Sequence, residues 1–122
     1  MKVAIPRFGE CVAPCFEYSA TITIFDVKGQ RVKGHTDFNL HSQNPFDRIR
    51  LLRDQGVQTL ICGGVESRIE DVIQASGIRV LSWVSGNVDE LLDLFIHGRL
   101  LPQSDRHAPP RTTRSKKRGP NS

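Results

Sequence analysis

From Asn44 onward the chain alternates helix-like and strand-like segments, and that alternation limits the fold more than any other feature. Asn44 is a good N-cap, Pro45 sits at the first helical position, and Phe46, Ile49 and Leu52 recur at helical spacing until Gly56. "VQTLI" (57–61) reads as a buried strand. Cys62-Gly63-Gly64 then leads into a second helix with Ile69, Val72 and Ile73 on one face and Gly77 as its stop. "IRVLSWV" (78–84) is a further strand, with core packing the favoured reading of Trp83. Asn87 and Glu90 stand at capping-box spacing before a third helix. Its Val88, Leu91, Leu92 and Phe95 form an apolar stripe that ends near Gly98. Strand–helix–strand connections within one sheet are right-handed, so this half predicts a parallel core.

The first half is strand-like instead. "KVAI" (2–5) is a short buried strand that should stop at Pro6. Residues 6–17 carry Pro, Gly and two Cys and read as a loop. "SATITIFDV" (19–27) is rich in β-branched residues, and Lys28-Gly29 turns it into a more polar strand, "QRVKGHTDF" (30–38), suited to a sheet edge. The order is β-β-β-α-β-α-β-α. It predicts an α/β fold with a mixed, mostly parallel sheet and helices on both faces, since the first, fourth and fifth strands lack polar alternation.

At 122 residues one domain is expected, over 1–101, with residues 102–122 as a tail. The net charge of +4 belongs to that tail, where six basic side chains face Asp105 alone. The body carries 11 basic and 12 acidic side chains, which speaks against specific nucleic-acid binding. The tail has almost no apolar content and is expected to be disordered. No run approaches the length of a membrane span, and Pro6 and Arg7 interrupt any signal-peptide core, so a cytoplasmic protein is expected.

Three cysteines in a reducing compartment argue against a disulfide framework and leave free thiols or metal ligands. Pro14 makes a helix through Cys11 and Cys15 unfavourable, so the pair is loop-borne. Four residues span at most roughly 14 Å and fold back to much less, so both thiolates can reach one ion or cluster. The spacing alone is equally consistent with two unrelated small hydrophobes. Topology adds weight to the functional side. If the first and fourth strands are parallel neighbours, the loop bearing Cys11 and Cys15 and the Cys62 turn leave the same sheet edge and open a crevice. Gly63 and Gly64 would let backbone approach a ligand closely, and the second helix would favour an anion there. The alternative for Cys62 is a buried thiol at a strand end. His41 should emerge at the same edge, further from the crevice, as a candidate metal ligand or a solvated loop histidine.

The chain holds no P-loop, dinucleotide-binding, nucleophile-elbow or H-E-x-x-H pattern. The first strand carries no acid to hold a catalytic Mg²⁺.

"MKVAIP", "VAPCFEYSATITIFDV", "LLRDQGVQTLICGGVESRIEDVIQASGIRVL" and "VSGNVDELLDLFIHGRL", in this order and spacing, resemble the dinitrogenase iron–molybdenum cofactor biosynthesis accessory family. The resemblance covers about residues 1 to 101. It implies a ribonuclease-H-like three-layer fold with a five-stranded mixed sheet, order 3-2-1-4-5, strand 2 antiparallel. It also implies binding, carrying or protecting an iron–sulfur or molybdenum–iron–sulfur cluster or precursor, without catalysis, alongside a cofactor-assembly or acceptor protein. The family's loop commonly reads Ser-Pro-His-Phe-Gly, against Ala13-Pro14-Cys15-Phe16-Glu17 here. Cys15 for His keeps a metal ligand and makes it softer. Glu17 for Gly brings a carboxylate that would repel an anionic cluster.

The expected cofactor-binding residues are therefore Cys11, Cys15, Cys62, Gly63 and Gly64, with Cys11, Cys15, Cys62 and His41 as metal ligands. Two other readings compete. In one the chain is an adaptor docking an acidic partner, with incidental cysteines. In the other it is a thiol-dependent redox or sulfur-transfer protein using a lowered-pKa Cys11 or Cys15.

Overall fold

The structure, a computed structural model, describes residues 1–100, so the expectation of a disordered basic tail over 102–122 lies outside the described residues. The strands are β1 (Lys2–Phe8), β2 (Cys11–Val12), β3 (Thr21–Lys28), β4 (Arg31–Asn39), β5 (Thr59–Ile61) and β6 (Arg79–Leu81). The helices are α1 (Pro45–Asp54), α2 (Ser67–Ala75) and α3 (Val88–Ile96), with a 3-10 turn at Phe16–Tyr18. The sheet runs β4-β3-β1-β5-β6, with β2 paired to β1 off this path. β1, β5 and β6 are parallel, and β3 is antiparallel to both β1 and β4.

The sheet therefore has six strands where five were expected, and the difference lies at Pro6. β1 does not stop there. It continues to Phe8, turns at Gly9 with φ +62, and returns as β2, pairing Arg7 with Val12 and Phe8 with Cys11. A residue's N–H and C=O point to the same side of a strand, and the Pro6 carbonyl accepts from the Ala13 N–H on the side away from β3. The proline's missing donor thus costs the β1–β3 ladder nothing. Cys11 consequently sits on a strand and not in an open loop.

Strand alternation sorts the core into two layers. Ala4, Ile22, Ile24 and Leu60 face Ile49 and Leu52 of α1 and Ile69 and Ile73 of α2. Val3, Ile5, Phe25, Val27, Ile61 and Leu81 face Val88, Leu91 and Leu92 of α3. Helices thus cover both faces. Each helix ends on one cap residue followed directly by the glycine that the sequence places there, Gly56, Gly77 or Gly98. Two helical positions expected in the core, Phe46 and Val72, are exposed. Arg48 is buried in α1 instead, because its guanidinium donates to the carbonyls of Ser19 and Ser42.

The N-caps form as the sequence suggests. Asn44 Oδ1 accepts from the Phe46 N–H at 3.0 Å, and Asn87 Oδ1 from the Glu90 N–H at 3.1 Å. Replacing Asn87 by Ala is expected to lower the unfolding free energy by about 1 kcal/mol. The change should appear as a lower urea midpoint at constant slope. An unchanged midpoint would show that this cap contributes nothing.

Candidate functional site

Three loops meet at the carboxyl edge of β1, β5 and β6, and backbone hydrogen bonds stitch them together. The Gly64 N–H donates to the Pro14 carbonyl and the Phe16 N–H to the Gly64 carbonyl, each at 2.8 Å, which bridges Cys15 to Gly64. The Trp83 N–H donates to the Gly63 carbonyl and the Val12 N–H to the Gly86 carbonyl, both at 2.9 Å. This contact needs glycine at 63. A Cβ there would lie 2.4 Å from the Ala13 carbonyl oxygen and 2.8 Å from that of Pro14. The close approach that Gly63 permits is therefore to the Cys15 loop. Only Gly64 of the pair lines the cavity described next.

That cavity, of about 800 Å³, opens at this edge between Pro14, Cys15, Glu17, Gly64, Glu66 and Trp83. Cys15 is half-buried, and its Sγ donates to Glu17 Oε1 at 3.2 Å. Glu17 Oε2 accepts from the Glu66 backbone N–H at 2.7 Å. Glu66 precedes α2 without a capping bond from its own side chain, so Glu17 caps that helix from across the chain. Burial pushes the Cys15 thiol above its ordinary pKa, and its bond to the Glu17 carboxylate acts in the same direction. The lowered-pKa Cys15 required by a thiol-dependent enzyme is thus not what its surroundings produce.

Trp83 corrects the sequence reading. It is 59% exposed, on the cavity rim, with φ at +60 in the left-handed region that a bulky residue rarely adopts. The turn that imposes this is closed by the Trp83 N–H to the Gly63 carbonyl and the Val84 N–H to the Cys62 carbonyl. Tyr18, also on the rim, is 82% exposed. Glu66 carried no sequence signal, because it joins the site only through chain distant in sequence. Tyr18 lies three residues after Cys15 and was missed because nothing local shows that its ring stays exposed.

Cys62 leaves β5 at the same edge but points elsewhere. It shares the parity of Leu60 and lies fully buried in the layer with Phe16, Ile69 and Ile73. Burial pushes its thiol far up, and the charges of Glu70, Glu17 and Cys15 add to this. Cys11 is exposed on β2, bridged to Asn87, and does not line the cavity. His41 is exposed and lines an adjoining cavity of about 340 Å³ together with Glu17, Tyr18 and Arg48. The fold brings the three cysteine-bearing segments to one edge, with Cys15 on the cavity, Cys62 buried in the core and Cys11 exposed on β2 outside the cavity. Among the described residues, no group of three or more His, Cys, Asp or Glu side chains is arranged to hold a metal ion.

A profile of the dinitrogenase iron–molybdenum cofactor family matches residues 1–98. The chain belongs to this family. Membership in the dinitrogenase iron–molybdenum cofactor family ties the chain to the biosynthesis or binding of that cofactor or a related metallocluster. Solved structures resemble it over most of its length. The protein PH0822 is 25% identical with a TM-score of 0.78, over 86% of this chain and 96% of that one. A Thermotoga protein provisionally described as NifB, TM1290, is 25% identical with a TM-score of 0.66, over 83% and 91%. The apo orange protein from Desulfovibrio gigas shares the fold at 20% identity with a TM-score of 0.69, over 83% and 91%. No curated protein sequence matches the chain significantly. Among the described residues, no helix is long and apolar enough to cross a membrane.

Proposed function

We propose that the protein is a non-enzymatic carrier that binds an iron–sulfur or molybdenum–iron–sulfur cluster, or its precursor, during metallocluster assembly. The observation that carries this reading is the half-buried Cys15 thiol on an open cavity of about 800 Å³, in a chain of this family. Cys15 supplies the thiolate on the cavity and His41 a donor from the adjoining cavity, while Cys11 stays on the β2 hairpin outside both. Cys62 holds the site from beneath as a neutral thiol. Ligation requires Cys15 to lose its proton, and the incoming metal drives that loss. A thiol raised by burial stays protonated and unreactive until metal arrives, which suits carriage better than turnover. Exposed Tyr18 and Trp83 flank the opening and give a cofactor-assembly or acceptor protein an aromatic surface to grip. The reading includes a ribonuclease-H-like frame, supported by the sheet order, the antiparallel β3 and helices on both faces.

The test is anaerobic reconstitution with iron and sulfide, followed by visible absorption and metal content. Cys15→Ala is expected to lower bound metal by about tenfold or more, and Cys62→Ala to leave it near the parent level. A folded Cys15→Ala protein that binds as the parent does would overturn the carrier reading and leave the adaptor in its place.

A further inference from the structure

We propose that Glu17 is a charge filter on Cys15, so that this cavity admits a cationic thiophilic metal species and excludes an anionic thiometallate. The inference rests on the carrier reading and narrows its cargo. Three observations support it. First, Glu17 Oε1 lies 3.2 Å from Cys15 Sγ, so any atom that bonds the sulfur arrives beside the carboxylate. Second, the Glu66 backbone N–H ahead of α2, one of the donors an incoming anion would use, is already taken by Glu17 Oε2 at 2.7 Å. Third, the ionic side chains lining the cavity are Glu17 and Glu66, both acidic. The charge of the buried Arg48 guanidinium is felt at Cys15 and Glu17. The group is nevertheless turned to the carbonyls of Ser19 and Ser42 and lines the adjoining cavity, so the side chains facing this one remain acidic. An anion would meet the Glu17 carboxylate beside the sulfur, the Glu66 N–H already taken, and a second carboxylate, Glu66, whose exposed pair with Arg68 is long at 4.0 Å. A cation meets a thiolate and a carboxylate oxygen already side by side.

The filter can be read without any cargo. Iodoacetate and iodoacetamide react by the same step: the thiolate sulfur forms a bond to carbon and iodide leaves with the electron pair. They differ only in that the first reagent is anionic, so their rate ratio cancels the thiolate fraction. Peptide-resolved alkylation of the full chain gives that ratio at Cys15, with exposed Cys11 as the internal reference. The iodoacetate-to-iodoacetamide ratio at Cys15 should be about tenfold below that at Cys11. Glu17→Gln should bring the two together, and raising salt in the parent protein should do so in part. Equal ratios at the two cysteines, unchanged by salt or by Glu17→Gln, would overturn the filter. A calorimetric arm with Zn(II) and tetrathiomolybdate separates it from the carrier reading. The parent should prefer Zn(II), and Glu17→Gln should shift the preference toward tetrathiomolybdate by about tenfold. A parent that prefers tetrathiomolybdate overturns the filter and leaves the carrier standing. A protein that binds neither probe removes the carrier and, with it, the claim that the cavity admits a metal cation; an alkylation contrast in that protein would show only that Glu17 repels anions from Cys15.

Discussion

Gly63→Ala is expected to lower the unfolding free energy by about 3 kcal/mol, the upper range for forcing one extra methyl into a packed site. The added Cβ would lie 2.4 Å from the Ala13 carbonyl oxygen and 2.8 Å from that of Pro14. Both are main-chain atoms with little room to give, since the Pro14 carbonyl accepts from the Gly64 N–H and the Ala13 N–H donates to the Pro6 carbonyl. For a domain of this size the loss corresponds to roughly 12 °C or more in the thermal midpoint. Gly64→Ala is the informative contrast. Its Cβ would meet the Trp83 ring at 3.1 Å and the Pro14 carbonyl oxygen at 3.2 Å. An exposed ring can swing aside, so a loss nearer 1 kcal/mol is expected. Thermal and urea melts of the two variants check the pair. A Gly63→Ala protein within about 0.5 kcal/mol of the parent would show that the loops are not clamped there. Because the same clamp positions Cys15, metal uptake should fall with Gly63→Ala more than with Gly64→Ala.

The second half of the fold was legible in the sequence because each element there carries its own punctuation. Asn44 and Asn87 cap as their spacing indicates, and each helix stops one cap residue before a glycine. These are local effects, decided within one turn of chain. The β1–β2 hairpin was not legible, since Pro6 stops a strand only if its missing N–H faces a partner, and that depends on which neighbour lies on which side. Arg48 escaped for a related reason: its burial depends on carbonyls of two other segments. The site was half visible. Parallel β1 and β5 place the Cys15 loop and the Cys62 turn at one edge, as topology requires, but which face each thiol takes is a separate matter. Counting from Leu60 would have put Cys62 in the core, because alternation continues past the end of β5. Nothing local could reveal that Glu17 reaches the backbone of Glu66.

Cys62 ties stability to alkaline pH. In the folded protein burial keeps its thiol protonated well above the ordinary value of 9.0, whereas in the unfolded chain it ionises near that value. The folded state therefore holds a proton that the unfolded state releases. The stabilisation this represents is fully present below the ordinary thiol pKa and is lost as pH rises above it toward the raised value. Once the unfolded thiol is ionised, the loss approaches about 1.4 kcal/mol per pH unit. Urea unfolding of the parent from pH 8 upward should show this decline. Lysine and tyrosine side chains also titrate there, so the comparison that isolates the thiol is with Cys62→Ala. The variant starts lower at pH 8, because it leaves a small void among Phe16, Ile69 and Ile73. Between about pH 9 and pH 11 the parent should lose roughly 2–3 kcal/mol more than the variant, so the two curves converge or cross. Parallel curves across that range would mean that water reaches the Cys62 sulfur in the folded state. The thiol would then be open to ionisation, and Cys62 would return to the set of residues able to hold a metal.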